Sequence, residues 1–458
     1  MSARVTTPAM RSVRSARAFS TSPSAALPPK PMSSKAALYA RNKKQATEGD
    51  DAAAASGTGN VLSEVTLPPP DLKGLQVMHP ESLTKAAVGS VKAFPNPALD
   101  AFKVLSIPSS VQREFAFSPK PATVVRNATL ELKDLLDKSR KGSSKVSRHV
   151  LHGGAGTGKS TLMLQAVSYA QSSGFVVIYL PSSTPLTNSS TPHLYSSARA
   201  LFDQPLLSAS LLNKLSTTNK AAFKELKTTK EWAFGDRKVA KGKSLEELCK
   251  AAGGDDKIVT SVFEAVMEEL STQTARPVLL AIDDCQSLFA TSKYVDPSYQ
   301  AVETFSLVVP RMLLEYVSGQ RQFAHGSILL APSSERVHVS PALTDYLSPA
   351  SPLSSPYDRH AVSSYDIYSS VLSPSPPSSS SPSSSSPTST ESNSQGVNKF
   401  PVPARLKQSE AVGIVYLLQQ IRGIRESKLD DDHFLERLVG ADGNPREFVK
   451  QLRKSVAA

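Results

Sequence analysis

Gly153-Gly154-Ala155-Gly156-Thr157-Gly158-Lys159-Ser160 fits the pattern G-x-x-x-x-G-K-[ST] without a mismatch. Glycines at these positions let a backbone bend around a phosphate with its N–H groups turned inward, where a side chain would clash. Such a loop delivers the anion to a helix N-terminus, whose dipole and free N–H groups favour negative charge. Lys159 is placed to reach the β- and γ-phosphates and Ser160 to offer a hydroxyl to Mg²⁺; Gly153 through Thr161 are the nucleotide-binding candidates. The expected context is a strand before the loop and a helix after it. Arg148–His152 supplies a short apolar strand, and the segment from Lys159 to Ser172 has helical character.

Outward from the loop, the pattern alternates. Phe175–Leu180, Val278–Ile282 and Ser327–Ala331 are continuous apolar runs, as expected of strands covered on both faces. Helical segments are expected at Ala122–Asp137, Tyr195–Phe202, Ser208–Leu215, Leu245–Lys250, Ile258–Leu270 and Phe305–Val317. The fold class is therefore α/β: a doubly wound parallel sheet of the P-loop NTPase type, close to the additional-strand ATPases, followed by a small C-terminal helical domain. That domain spans 401–458, with helices at Ser409–Glu426, at His433–Val439 and from Asn444-Pro445 onward, where Asn444 suits an N-cap.

A phosphate loop needs an acidic partner strand. Asp283, directly after Val278–Ile282, is the candidate to hold Mg²⁺ through water together with Ser160. Asp284 occupies the place where additional-strand ATPases keep a water-activating carboxylate, and no other catalytic residue is indicated. Ser333, beyond the strand at Ser327–Ala331, and Arg446 in the C-terminal helices occupy sensor positions of that class. No Asn-Lys-x-Asp occurs, so guanine selection by the small-GTPase route is excluded. The eight histidines are scattered, with no H-x-x-x-H spacing. Cys249 and Cys285 are too few for a disulfide framework or a four-cysteine zinc site.

The remaining chain divides by composition. Residues 1–47 carry nine Lys/Arg and no acid, although the net charge of the whole chain is only +12. Arg- and Ser-rich and acid-free, residues 1–19 read as a mitochondrial transit peptide cleaved after Phe19. The mature chain would keep a charge of about +8, which points to RNA. Residues 20–66 read as a disordered linker, and the Pro-punctuated 67–145 as an N-terminal extension wrapping a core domain at 146–345. Within 346–400, residues 373–394 contain 18 Ser or Pro among 22, marking a low-complexity insertion. No run reaches the ~18 apolar residues of a membrane span.

Beyond the glycine loop, His149–Ser160 with Gly174–Pro181, the box Phe202-Asp203-Gln204-Pro205, the triplet Thr217-Thr218-Asn219 and the closing Gly443-Asn444-Pro445 together resemble the death-associated protein 3 family, in a fungal-type member. The resemblance covers roughly 75–345 and 400–455. It implies a GTP-binding protein of the mitochondrial small ribosomal subunit, with GTP or GDP and Mg²⁺ in the loop and with small-subunit rRNA and neighbouring mitoribosomal proteins as partners. The Ser/Pro tract belongs to no family pattern. The family can place Gly at the Asp284 position, which argues against a hydrolytic role there. The competing readings are a matrix ATPase acting on protein or nucleic acid and an apoptosis-signalling adaptor.

Overall fold

Five parallel strands carry the molecule: β1 (Arg148–His152), β2 (Val176–Leu180), β3 (Val278–Asp283), β4 (Gly326–Ala331) and β5 (Asn398–Pro401). Their order across the sheet is β5-β1-β4-β3-β2. The strand before the glycine loop and the strand ending in Asp283 are thus separated by β4. The computed structural model describes residues 74–454, except 117, 119, 334–339, 349–363, 374–395, 422 and 425–428. The transit-peptide, linker and Ser/Pro-tract expectations fall outside these residues, save for Ser373.

Strand side chains alternate between two apolar layers. Leu151, Val177, Tyr179, Leu279, Ala281 and Leu329 face one layer, built with helices α1 (Asn96–Leu105), α2 (Asn127–Ser139) and α3 (Lys159–Ser172). Val150, Ile178, Leu280, Ile282, Ile328 and Leu330 face the other, built with α4 (Pro205–Thr218), α5 (Val259–Thr272) and α6 (Val308–Ser318). Helices α7 (Gln408–Gln420), α8 (Asp431–Gly440) and α9 (Pro445–Lys454) close a third core around Val415, Leu418, Phe434 and Phe448. No helix among the described residues is long and apolar enough to cross a membrane.

Four expectations need correction. The segment 67–145 does more than wrap: Met78, Phe94, Phe102 and Leu105 are buried in the first layer, so its prolines punctuate short elements that complete the core. Ala122–Asp137 is not one helix, because Ala122–Val124 pairs as a strand with Val91–Ala93 before α2 begins. Tyr195–Phe202 is a hairpin in which Leu194–Ser196 pairs with Leu201–Asp203; its aromatic residues suit strands as well as helices. The stretch 346–400 is not wholly an insertion. Tyr365–Leu372 is a helix with Tyr368 and Leu372 buried, and Asn398–Pro401 adds the edge strand β5.

The boxes quoted above have structural work to do. Gln204 and Pro205 open α4, with Gln204 Nε2 donating to the Leu186 carbonyl at 2.9 Å. Asp203 accepts from Arg199 at 2.8 Å. Asn219, at the C-terminal end of α4, is buried against the outer edge of β2. Its Oδ1 accepts from the Val177 amide and its Nδ2 donates to the Val177 carbonyl, both at 2.8 Å. One side chain thereby stands in for a further strand on an edge that would otherwise be open. Replacing Asn219 with Leu leaves both Val177 groups buried and unpaired. It should cost about 2–5 kcal/mol, read from the shift in urea midpoint.

Candidate functional site

The glycine loop links β1 to α3. Gly156 and Gly158 adopt φ of +75° and +90°, the left-handed region that glycine enters without strain. A Cβ on Gly156 would lie 2.6 Å from Asn444 Oδ1 and 2.9 Å from Arg446 Cβ, so the C-terminal helices press directly on the loop. A loop that turns its amides toward a ligand turns its carbonyls outward, and each of these needs a donor. Lys159 Nζ donates to Gly153 and Gly154, both at 2.8 Å. Asn444 Nδ2 donates to Ala155 at 2.8 Å, the Arg446 amide to Gly156 at 3.2 Å, Arg126 Nη1 to Thr157 at 2.7 Å, and the Leu162 amide to Gly158 at 2.9 Å. Every carbonyl from Gly153 to Gly158 is satisfied, three of them by residues remote in sequence.

Arg126 is the hub of this clamp. Besides Thr157 it donates through Nη2 to the Pro403 carbonyl at 3.1 Å and pairs through Nε with Glu410 at 3.3 Å. Glu410, 3% exposed, also accepts from the amides of Asn127 and Lys407 at 3.0 and 3.2 Å. The pair thus ties the N-terminal segment, the glycine loop and α7 at one point.

Ala155–Thr161, Asp283, Asp284, Ser333 and Arg446 line one cavity of about 650 Å³, within the range of small-molecule sites. Gly153 and Gly154 do not line it; they hold Lys159. The remaining wall comes from the N-terminal segment, including Pro121–Val124, and from apolar residues of α7 such as Ile414 and Leu417. Of this lining the glycine loop, Asp283, Asp284, Ser333 and Arg446 are marked in the sequence, whereas the N-terminal segment and α7 are not.

Asp283 is 2% exposed. Its Oδ1 accepts from the Asp284 amide at 2.9 Å, while Oδ2 is buried with no hydrogen-bond partner among the described residues. Burial first, and the neighbouring Asp284 charge second, push its carboxyl up to about 6; the Ser160 hydroxyl and Lys159 act the other way. Because the folded-state value exceeds the unfolded 3.8, this carboxyl favours folding below about pH 4 and loses that contribution as pH rises through 6. A buried carboxylate with a free oxygen, facing a serine hydroxyl, fits a hydrated divalent cation, which would relieve the cost of its charge.

Asp284 is differently placed. It sits at φ +50°, a left-handed residue at the end of β3. Its Oδ2 accepts from Ser182 at 2.5 Å and Thr184 at 3.3 Å, and its Oδ1 from Gln286 Nε2 at 2.8 Å. Gln286 Oε1 in turn accepts from the Ser333 amide at 3.0 Å. Asp284 therefore anchors the loops after β2, β3 and β4, and a left-handed position is one that glycine can also fill. Arg446 contributes its backbone amide to the loop, with Asn444 Oδ1 accepting from it at 3.1 Å at the start of α9. Arg126 and Glu410 pair across 284 residues with no local spacing to mark them, and Gln286, two residues after Asp284, belongs to no motif spacing.

Residues 123–451 match the family described as mitochondrial ribosomal death-associated protein 3. The chain belongs to this family. Relatives named small ribosomal subunit protein mS29 are 26% identical over 265 residues in Neurospora crassa, covering 57% of this chain and 56% of the relative. In Schizosaccharomyces pombe the match is 26% over 282 residues, 58% of this chain and 57% of the relative. In Mus musculus it is 27% over 192 residues, 40% and 49%. The chain spans about half the length of the relatives it matches. The family match begins at Thr123, three residues before Arg126, and ends inside α9, so it includes both remote arms of the loop clamp.

The Arg126–Glu410 pair gives a direct test of that clamp. Removing one partner of a buried ion pair leaves the other charge uncompensated and costs about 3–5 kcal/mol. Glu410→Ala should lower stability by that amount in urea unfolding, and Glu410→Gln by less, because its amide still accepts from Asn127.

Proposed function

We propose that this chain is a structural component of the mitochondrial small ribosomal subunit that holds a guanine nucleotide, GTP or GDP, with Mg²⁺ in the glycine loop. The names of the relatives support the ribosomal placement, and the mitochondrial family supports the matrix location and a role in mitochondrial translation. Small-subunit rRNA and adjacent ribosomal proteins are the partners that follow. The choice of guanine rests on the family resemblance, not on a base-reading motif in the chain. The observation that carries nucleotide binding is the loop Gly153–Ser160, fully clamped through its carbonyls, facing the unpartnered oxygen of Asp283 across one cavity.

The residues divide the work by chemistry. Amides of Ala155–Thr161 and the positive end of α3 receive the phosphates. Lys159, which lines the same cavity while its ammonium holds the Gly153 and Gly154 carbonyls, supplies positive charge to the phosphates. Ser160 and Asp283 would hold Mg²⁺, which when bound neutralises phosphate charge. Arg446 and Ser333 stand at the cavity wall as sensor positions. The sheet order, with β4 between the loop strand and the Asp283 strand, supports assignment to the additional-strand class. Within that class a matrix ATPase is the competing reading, and the anchoring of Asp284 by Ser182, Thr184 and Gln286 weighs against it. At most, slow GTP turnover is expected.

Lys159→Ala should lower GTP affinity more than tenfold in equilibrium titration, since each charge-assisted contact is worth ~1.5–3 kcal/mol; a smaller loss would place the ligand elsewhere. Asp283→Asn should weaken the Mg²⁺ dependence of nucleotide retention. In single-turnover assays Asp284→Asn should leave the hydrolysis rate within about threefold while lowering thermal stability, because it exchanges one loop-anchoring acceptor oxygen for a donor rather than removing a base. Fast hydrolysis abolished by Asp284→Asn would instead support the ATPase reading.

A further inference from the structure

The end of the sheet opposite the glycine loop carries a second, unassigned surface. Between residues 220 and 250 there are nine basic and five acidic residues. The segment folds as a helix at Lys220–Glu225, a hairpin at Trp232–Phe234 and Arg237–Val239, and a helix at Leu245–Lys250. These pieces form one face. Lys250 pairs with the Glu246 carboxylate at 2.7 Å, which Lys220 and Lys224 also act on, the Lys227 and Ser244 backbones form a β-bridge, and the Thr228 carbonyl accepts from the Gly242 amide. The face lies at the amino ends of the strands, because Asn219 binds Val177 at the start of β2 and Glu225 pairs at 2.5 Å with Arg276, just before β3.

Lys230, Lys243 and Lys250 are paired with Glu268, Glu247 and Glu246, and Arg237 donates to the Ala251 and Ala252 carbonyls. Lys220, Lys224, Lys227, Lys238 and Lys241 are exposed and make no ion pair with the described residues. Five exposed lysines without an ion pair, against only Glu231 and Asp236 as exposed and likewise unpaired carboxylates of the segment, leave an excess of positive charge that folding does not explain. None of the exposed large apolar side chains falls between residues 207 and 294. The face thus lacks the apolar or aromatic centre of a protein interface, where lysine is depleted. The only tryptophan, Trp232, is turned to structure: its Nε1 donates to Glu269 at 2.7 Å and Lys230 covers its ring at 4.2 Å.

We propose that this lysine face is an RNA contact surface that engages the phosphodiester backbone rather than the bases. It rests on the ribosomal reading and adds to it the location of an rRNA contact, remote from the nucleotide. Its ligand chemistry is a run of phosphates, and its affinity is set by counterion release.

The test uses the full chain and a short RNA hairpin, with affinity measured across a series of salt concentrations. Replacing Lys220, Lys224, Lys227, Lys238 and Lys241 together by Gln should flatten the plot of log K against log[salt] by about 3.5–4.5 units if each meets one phosphate, at ~0.7–0.9 per phosphate contact. Lys85, Lys293 and Lys450 replaced together by Gln, on other surfaces, should change it by less than about one. GTP binding by both variants serves as the check on folding. A slope unchanged in the five-site variant overturns the proposal, as does a variant that keeps RNA binding but loses binding to polyglutamate, which would mark an acidic-protein site. Sedimentation of the wild-type chain with the small subunit is scored separately. Its failure would refute the ribosomal reading, whereas a normal slope in a chain that does sediment would refute only this surface.

Discussion

The constraint on which the rest of the structure depends is the satisfaction of the glycine loop's outward carbonyls. A segment that presents successive amides to an anion cannot also pair its carbonyls within a helix or sheet, and buried unpaired carbonyls cost stability. Here the donors come from three places: Lys159 within the loop, Arg126 from the N-terminal segment, and Asn444 with the Arg446 amide from the C-terminal helices. The N-terminal segment and the helical domain are therefore parts of the site, although neither contains a phosphate-binding motif.

The same arrangement explains why the small helical domain sits where it does. Glu410 fixes α7 against Arg126, and Gly443-Asn444-Pro445 starts α9 against Gly156, with no room for a side chain at that glycine. A ligand bound between these parts would favour their closed arrangement, since binding only the folded state adds stability by mass action. On the ribosomal reading proposed above, a retained nucleotide would stabilise shape, consistent with an Asp284 engaged in anchoring loops.

Much of this was legible in the sequence because it is local. The glycine loop, the buried strands at Val176–Leu180 and Val278–Asp283, the acidic pair after the latter and the capping Asn444 all announce themselves by spacing or composition. Hairpin Leu194–Asp203 was misread as a helix because a short stretch mixing aromatic and small residues satisfies either period. The core role of Phe94 and Phe102 was hidden by their prolines. The Arg126–Glu410 pair joins residues 284 apart in the chain, and nothing local to either marks it.

The central claim is that the clamped loop holds a guanine nucleotide as a retained structural ligand. It is tested most directly by isolating the protein with the small subunit under Mg²⁺, denaturing it, and identifying the released nucleotide by chromatography. The account predicts GTP or GDP in roughly equimolar amount to the chain, lost in Lys159→Ala. Release of adenine nucleotide, or of none, would contradict it.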